Sequence, residues 1–189
     1  MSRSRIIARK GWITGARRVL SPNCDSRPPG TEVSLLVVHS ISLPRGAYGK
    51  DAGGSAIERL FTNRLDPASH PSFAELAGLR VSSHFLIYRD GELVQFVALP
   101  QRAWHAGVSR WRGRERCNDF SVGVELEGTD DGVFDAAQYE TLFLLLKKLQ
   151  SVLPLRDIAA HSDVAPGRKR DPGVQFGWAR LLAGLARAA

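Results

Sequence analysis

The chain has 189 residues, 43% of them hydrophobic and 24% charged, with a net charge of +7 and a pI near 10.0. That length and composition fit one globular domain with a substantial core, and two cysteines without CxxC spacing, Cys24 and Cys117, exclude a disulfide framework. No apolar run approaches the ~18 residues of a membrane span. The basic N-terminus offers only Ile6-Ile7-Ala8 as an apolar stretch, too little for a secretory signal.

A cytoplasmic protein with no membrane-spanning segment is therefore expected. The positive charge points to an anionic partner, which on charge alone is a nucleic acid, a membrane surface or an acidic small substrate.

Residues 1–32 read as an irregular lead-in. Residues 1–10 form a basic N-terminal extension with little to order it, Gly11-Trp12-Ile13 seeds a short turn or helix, and Pro22, Pro28, Pro29 and Gly30 interrupt regular structure. Ser34–Val38 is a β-branched-rich run with the pattern of a strand buried on both faces, and His39 ends it. Residues 42–54 form a Gly- and Pro-rich loop. Ser55 then caps a helix to about Arg64, with Ile57, Leu60, Phe61 and Leu65 on one stripe.

After a connecting segment at 66–78, Val81–Tyr88 and Glu92–Leu99 read as two strands joined at Asp90-Gly91. Trp104–Asn118 is a basic, aromatic loop, and Phe120–Leu126 is a fourth strand. Asp135 caps a helix from Ala136 to about Val152, ended by Pro154. Ile158–Ala160 is a short strand that delivers His161, and Val174–Ala188 is a closing helix with Phe176, Leu181, Leu182 and Leu185 as its stripe. Strands interspersed with helices predict an α/β fold, a mixed central sheet flanked by helices, and no linker divides residues 1–189.

Chemistry concentrates in three places. His39 sits where a buried strand leaves the core, the usual position of a site residue in a sheet-based enzyme. His161 occupies an equivalent strand-to-loop position, and Asp171 follows ten residues later on the stiff turn Asp171-Pro172-Gly173. Two histidines and an aspartate are a sufficient protein ligand set for a catalytic zinc with one position open. Spacing alone leaves His84 and His105 as competitors; His84 reads as a hydrogen-bonded core or supporting histidine, His105 as part of a binding surface, and His70 as a surface residue. Glu125 and Glu127 share one face of a strand whose other face is Val122, Val124 and Leu126. A carboxylate there is costly unless it is paired or functional. Lys169, two residues before Asp171, is placed to stabilise an oxyanion if Asp171 ligates metal. Arg110, Arg112, Arg114 and Arg116, interleaved with Trp104 and Trp111, suit carboxylates and sugar faces but also nucleic acid.

Six motifs then occur in order: Leu35-Leu36-Val37-Val38-His39, Arg80-Val81-Ser82-Ser83-His84, Arg102-Ala103-Trp104-His105-Ala106-Gly107, the run Gly113 to Ser121, Gly123-Val124-Glu125-Leu126-Glu127-Gly128, and Arg168-Lys169-Arg170-Asp171-Pro172-Gly173. Together, from about Gly11 to Ala179, the chain closely resembles the AmpD-type cytoplasmic zinc amidases of cell-wall recycling, and more distantly phage zinc amidases and peptidoglycan recognition proteins. The resemblance implies hydrolysis of the amide between the lactyl group of 1,6-anhydro-N-acetylmuramic acid and the L-alanine of its stem peptide. It implies His39, His161 and Asp171 as ligands of Zn2+, Glu125 as general base and Lys169 as stabiliser of the tetrahedral intermediate. Arg80, Trp104, Arg116 and Ser40 would contact the substrate, an anionic anhydro-muropeptide, and the protein would act as a monomer.

Two departures stand out: Ser40 follows His39 where Asn is expected, and Tyr48–Ser55 is longer than expected. Two other functions compete, an inert muropeptide-binding module and a basic nucleic-acid-binding protein. The first would lack a ligand or base, and here those positions are filled; no recognisable motif supports the second.

Overall fold

A computed structural model describes residues 7–8 and 10–186 of the chain. Six strands of the described residues form one sheet: β1 (Arg17–Arg18), β2 (Leu35–Ile41), β3 (Phe85–Ile87), β4 (Leu93–Gln95), β5 (Ser121–Glu127) and β6 (Asp157–Ala160). Their order across the sheet is β6-β2-β5-β3-β4-β1. The first four run parallel; β4 returns antiparallel to β3, and β1 lies parallel to β4. The expected mixed sheet is what forms. Most of the reading of residues 1–10 as an extension falls outside the described residues.

The helices are α1 (Ala56–Phe61), α2 (Ala136–Gln150), the single turn α3 (His161–Val164) and α4 (Trp178–Ala186). One sheet face, with Leu36, Val38, Val122, Val124 and Leu126, packs on Leu142, Leu145, Leu146 and Leu149 of α2 and Leu181 of α4. On the other, α1 covers the β3–β4 half through Ile57, Leu60 and Phe61 against Leu86 and Val94. A smaller cluster of Leu35, Val37, Ala106, Cys117, Phe120, Ala159 and Val164 lies below the C-terminal ends of β2 and β6. Burial on both faces explains why β2 reads as a continuous apolar run.

Local signals were read well where one side chain decides. Ser55 accepts from the Glu58 amide at the start of α1, and Asp135 and Gln138 form a capping box at the start of α2. Elsewhere the boundaries move. α1 stops at Phe61, with Asn63 just beyond at φ 59°. β2 runs on to Ile41, so His39 lies within the strand. The strand expected over 81–88 forms only over Phe85–Ile87; just before it, Gly123 donates its amide to the imidazole Nδ1 of His84 (3.1 Å) in place of a backbone carbonyl.

The expected irregular lead-in instead contributes paired strands: Trp12–Ile13 pairs with Ile7–Ala8, and Cys24–Ser26 pairs with Gln101–Ala103. Within 104–118, Arg110–Trp111 and Arg114–Glu115 form a small hairpin, closed by Arg112 and Gly113 at positive φ. The closing helix starts at Trp178, after a turn in which Phe176 donates to the Gly173 carbonyl.

Candidate active site

The sheet register builds the site. Glu125 on β5 pairs with His39 on β2, and Ala160 on β6 pairs with Val38. His161, the next residue after Ala160, therefore arrives beside His39 at the C-terminal edge of the parallel strands, where α/β sheets bind ligands. Asp171 is brought back by the loop after α3. Its carbonyl accepts from the Ser162 amide (3.0 Å), and its turn packs so closely that a Cβ on Gly173 would lie 1.8 Å from the Asp130 carbonyl oxygen. Only glycine fits there, at φ 95°.

Three atoms converge. His39 Nδ1 lies 2.9 Å from His161 Nδ1 and 3.2 Å from Asp171 Oδ2, and His161 Nδ1 lies 3.0 Å from the same Oδ2. A tetrahedral metal with bonds of ~2.0–2.1 Å separates its ligands by roughly 3.3 Å, so this triangle is close to the size one ion would set. Among the described residues this is a His/His/Asp group able to hold a metal ion.

The electrostatics suit it. Burial drives the His39 pKa down to about 4, against the opposing pull of Asp171, so the imidazole is neutral at neutral pH. Burial works against ionised Asp171, yet its bonds with His161 and His39 outweigh that and hold the carboxyl far below the usual carboxylate range. A neutral imidazole at His39 and a carboxylate at Asp171 are the protonation states ligation requires of them.

Glu125 Oε1 stands 4.0 Å from His39 Nδ1. Burial, then the charge of Asp171, raise its pKa well above the carboxylate range, and Lys169 pulls it back. Glu127, two residues on, has a different environment. Its Oε1 accepts from the Gly49 amide (2.7 Å) and its Oε2 from the Arg89 amide (3.2 Å). Glu127 is thus paired by two backbone donors, and the Tyr48–Ser55 segment is tied to the sheet through one of them.

Lys169 and Ser40 line a cleft of about 330 Å³ with Asp171, Arg45 and Thr129. Arg168 lines that cleft and a second one of about 530 Å³, where Arg116 and Arg110 stand. Arg80 is exposed, and Trp104 is half-buried with its indole hydrogen-bonded to Asp25; neither lines these two clefts.

His105 is not on a binding surface. It is 9% exposed and packs edge-on to His39, because the chain turns its ring inward over Gly123. His84 is fully buried and bonded to backbone groups, as the sequence suggested, and burial lowers its pKa to about 3. The His70 side chain bonds to nearby Ser72.

Two arginines near the site hold loops in place, a role their positions in the sequence do not announce. Arg168 donates to the carbonyls of Ala106 and Val108 (both 2.6 Å), and Arg27, in the supposed lead-in, donates to those of Asn118, Asp119 and Ser121. Their signal was an arginine flanked by Pro or Gly, too common to single out.

The profile of the N-acetylmuramoyl-L-alanine amidase family matches residues 29–174. The chain belongs to that family. Within this amidase family it is of AmpD type: it is 52% identical over 178 residues, 93% of this chain and 95% of the relative, to the 1,6-anhydro-N-acetylmuramyl-L-alanine amidase AmpD of Escherichia coli K12. A crystal structure of a selenomethionine AmpD derivative superposes with a TM-score of 0.89 at 51% identity, covering 94% of this chain and 98% of that one. The Escherichia coli amidase AmiD, solved in complex with anhydro-N-acetylmuramic acid-L-Ala-D-gamma-Glu-L-Lys, matches at 26% identity and a TM-score of 0.59, covering 95% of this chain and 65% of its own. This amidase is an enzyme of small-molecule substrates, and no helix among its described residues is long and apolar enough to cross a membrane.

Proposed function

We propose that the whole chain is a single amidase unit that hydrolyses the amide joining the lactyl carboxyl of 1,6-anhydro-N-acetylmuramic acid to the L-alanine of its stem peptide. It does so in the cytoplasm, on recycled wall fragments. The observation that carries the reading is the His39/His161/Asp171 triangle beside buried Glu125, in a chain 52% identical to an enzyme named for that bond. The three side chains would hold zinc. When bound, zinc supplies a Lewis acid that makes a water acidic near pH 7 and polarises the scissile carbonyl.

The chain's own residues do the rest. Glu125, in a pocket that raises its proton affinity, takes the proton of the attacking water and returns it to the leaving alanine nitrogen, so one water is consumed and a carboxylate and an amine are released. The Lys169 ammonium, whose charge is felt at both Glu125 and His39, stabilises the negative charge that develops on the carbonyl oxygen. Ser40 and Arg116 contact the substrate from the two clefts, and Arg80 and Trp104 supply further substrate contacts.

Purified anhydro-muropeptide incubated with the protein should yield free stem peptide and anhydro-N-acetylmuramic acid by mass spectrometry. Reducing-end muropeptides should turn over far more slowly. Comparable turnover of the two forms would remove the anhydro preference and leave the amidase; no release from either would remove the amidase.

A further inference from the structure

Behind the triangle, the hydrogen bonds run in one direction, and a hydroxyl at the far end sets it. The Ser121 Oγ lies 2.6 Å from the carbonyl oxygen of Cys117, which can only accept, so the hydroxyl proton points there. The same Oγ is 3.1 Å from His105 Nε2 and must accept from it. The ring is 9% exposed and carries its proton on Nε2, so a neutral imidazole there offers Nδ1 as an acceptor. That Nδ1 is 2.9 Å from His39 Nε2. His39 therefore donates through Nε2 and keeps its lone pair on Nδ1, the atom that meets His161 and Asp171. His161 is set the same way by the next residue along, its Nε2 lying 3.3 Å from the Ala106 carbonyl oxygen.

We infer that His105 is a positioning residue: through the chain from Cys117 and Ser121 it fixes His39 in the tautomer whose Nδ1 lone pair faces the metal position. The inference rests on the zinc reading above. The surroundings are built for an oriented ring, since a Cβ on Gly123 would stand 2.6 Å from His105 Cγ, and Asn118 Oδ1 accepts from the amides of His105 (3.2 Å) and Ala106 (2.8 Å). A residue serving only as apolar filler requires neither ring bond. Partners that orient a ligating histidine are worth about 10–100-fold in metal affinity.

The test has two readouts. Long-range 1H–15N correlation on the zinc-loaded wild-type protein should find His39 and His105 protonated at Nε2. Zinc affinity, measured by competition with a chromophoric chelator, should fall about 10–100-fold in His105→Leu. It should be largely restored in His105→Asn, whose Oδ1 takes the place of Nδ1 as acceptor. Thermal unfolding of the zinc-free proteins reports packing separately. A role confined to packing would lower Tm while leaving the affinity of the folded protein unchanged, and that result overturns the inference. So does Asn performing no better than Leu, or His39 protonated at Nδ1 in the wild-type protein; this last measurement decides the matter if His105→Leu does not fold. Wild-type protein that takes up no zinc overturns the metal reading itself, whereas zinc uptake with the other tautomer overturns this inference alone.

Discussion

Two positions separate Glu125 from Glu127, and same-face neighbours on a strand stand roughly 6.5–7 Å apart. One water cannot be within hydrogen-bonding reach of both, and the surroundings divide them: Glu125 faces the triangle, while Glu127 accepts from the amides of Gly49 and Arg89. Glu125→Gln should therefore keep its zinc and its fold and lose about 10²–10⁴-fold in the chemical step. Glu127→Gln should lower thermal stability and leave turnover of the folded fraction nearly unchanged, because it weakens a tether. Turnover and zinc content normalised to folded protein check both, and the opposite pattern would exchange the assignments. At this scale His39 and His161 were legible as candidate site residues because each ends or follows an apolar strand run. The role of His105 was not, because spacing cannot show that a loop turns its ring back into the sheet. The available clue was Gly123, a glycine inside a strand, which marks a close approach by another group.

Elements were legible where a cap or a continuous apolar run announced them, as at Ser55, Asp135 and Leu35–Val38. They were misjudged where a side chain replaced the backbone ladder, as His84 does before β3. They were also missed where pairing depended on a distant partner, as between Cys24–Ser26 and Gln101–Ala103. Helix α1 gives a test at this scale. Glu58, 3% exposed, accepts from Arg17 and Tyr88. Burial raises its pKa, but those bonds prevail and the net shift is downward. A carboxyl with a folded-state pKa below the unfolded value of ~4.3 contributes stability above that value and loses it as pH falls through the folded-state pKa. Wild-type stability should thus decline on acidification through this range more steeply than that of Glu58→Gln. Urea midpoints for the two proteins at a series of pH values below ~6 check this; parallel curves would mean that the pair does not couple α1 to protonation.

For the whole molecule, the +7 charge has a use once the substrate is a stem peptide with several carboxylates. Lys169 and Arg168 line the cleft that includes Asp171, and Arg168 also lines a second cleft with Arg110 and Arg116. Raising ionic strength should lower kcat/KM for an anionic muropeptide and leave kcat almost constant, since screening acts on encounter. An unchanged kcat/KM would assign the charge elsewhere. The fold class followed from alternating strand and helix patterns, whereas the meeting of His39, His161 and Asp171 depends on β6 pairing with β2 across more than a hundred residues, which no local pattern encodes. The central claim is that this trio holds one zinc and that hydrolysis requires it. The most direct measurement is hydrolysis of anhydro-muropeptide by chelator-stripped protein during stepwise addition of zinc. The rate should begin near zero, rise in proportion to added zinc and level off at one ion per chain. Full hydrolysis before any zinc is added, or none when one zinc per chain is bound, would contradict the account.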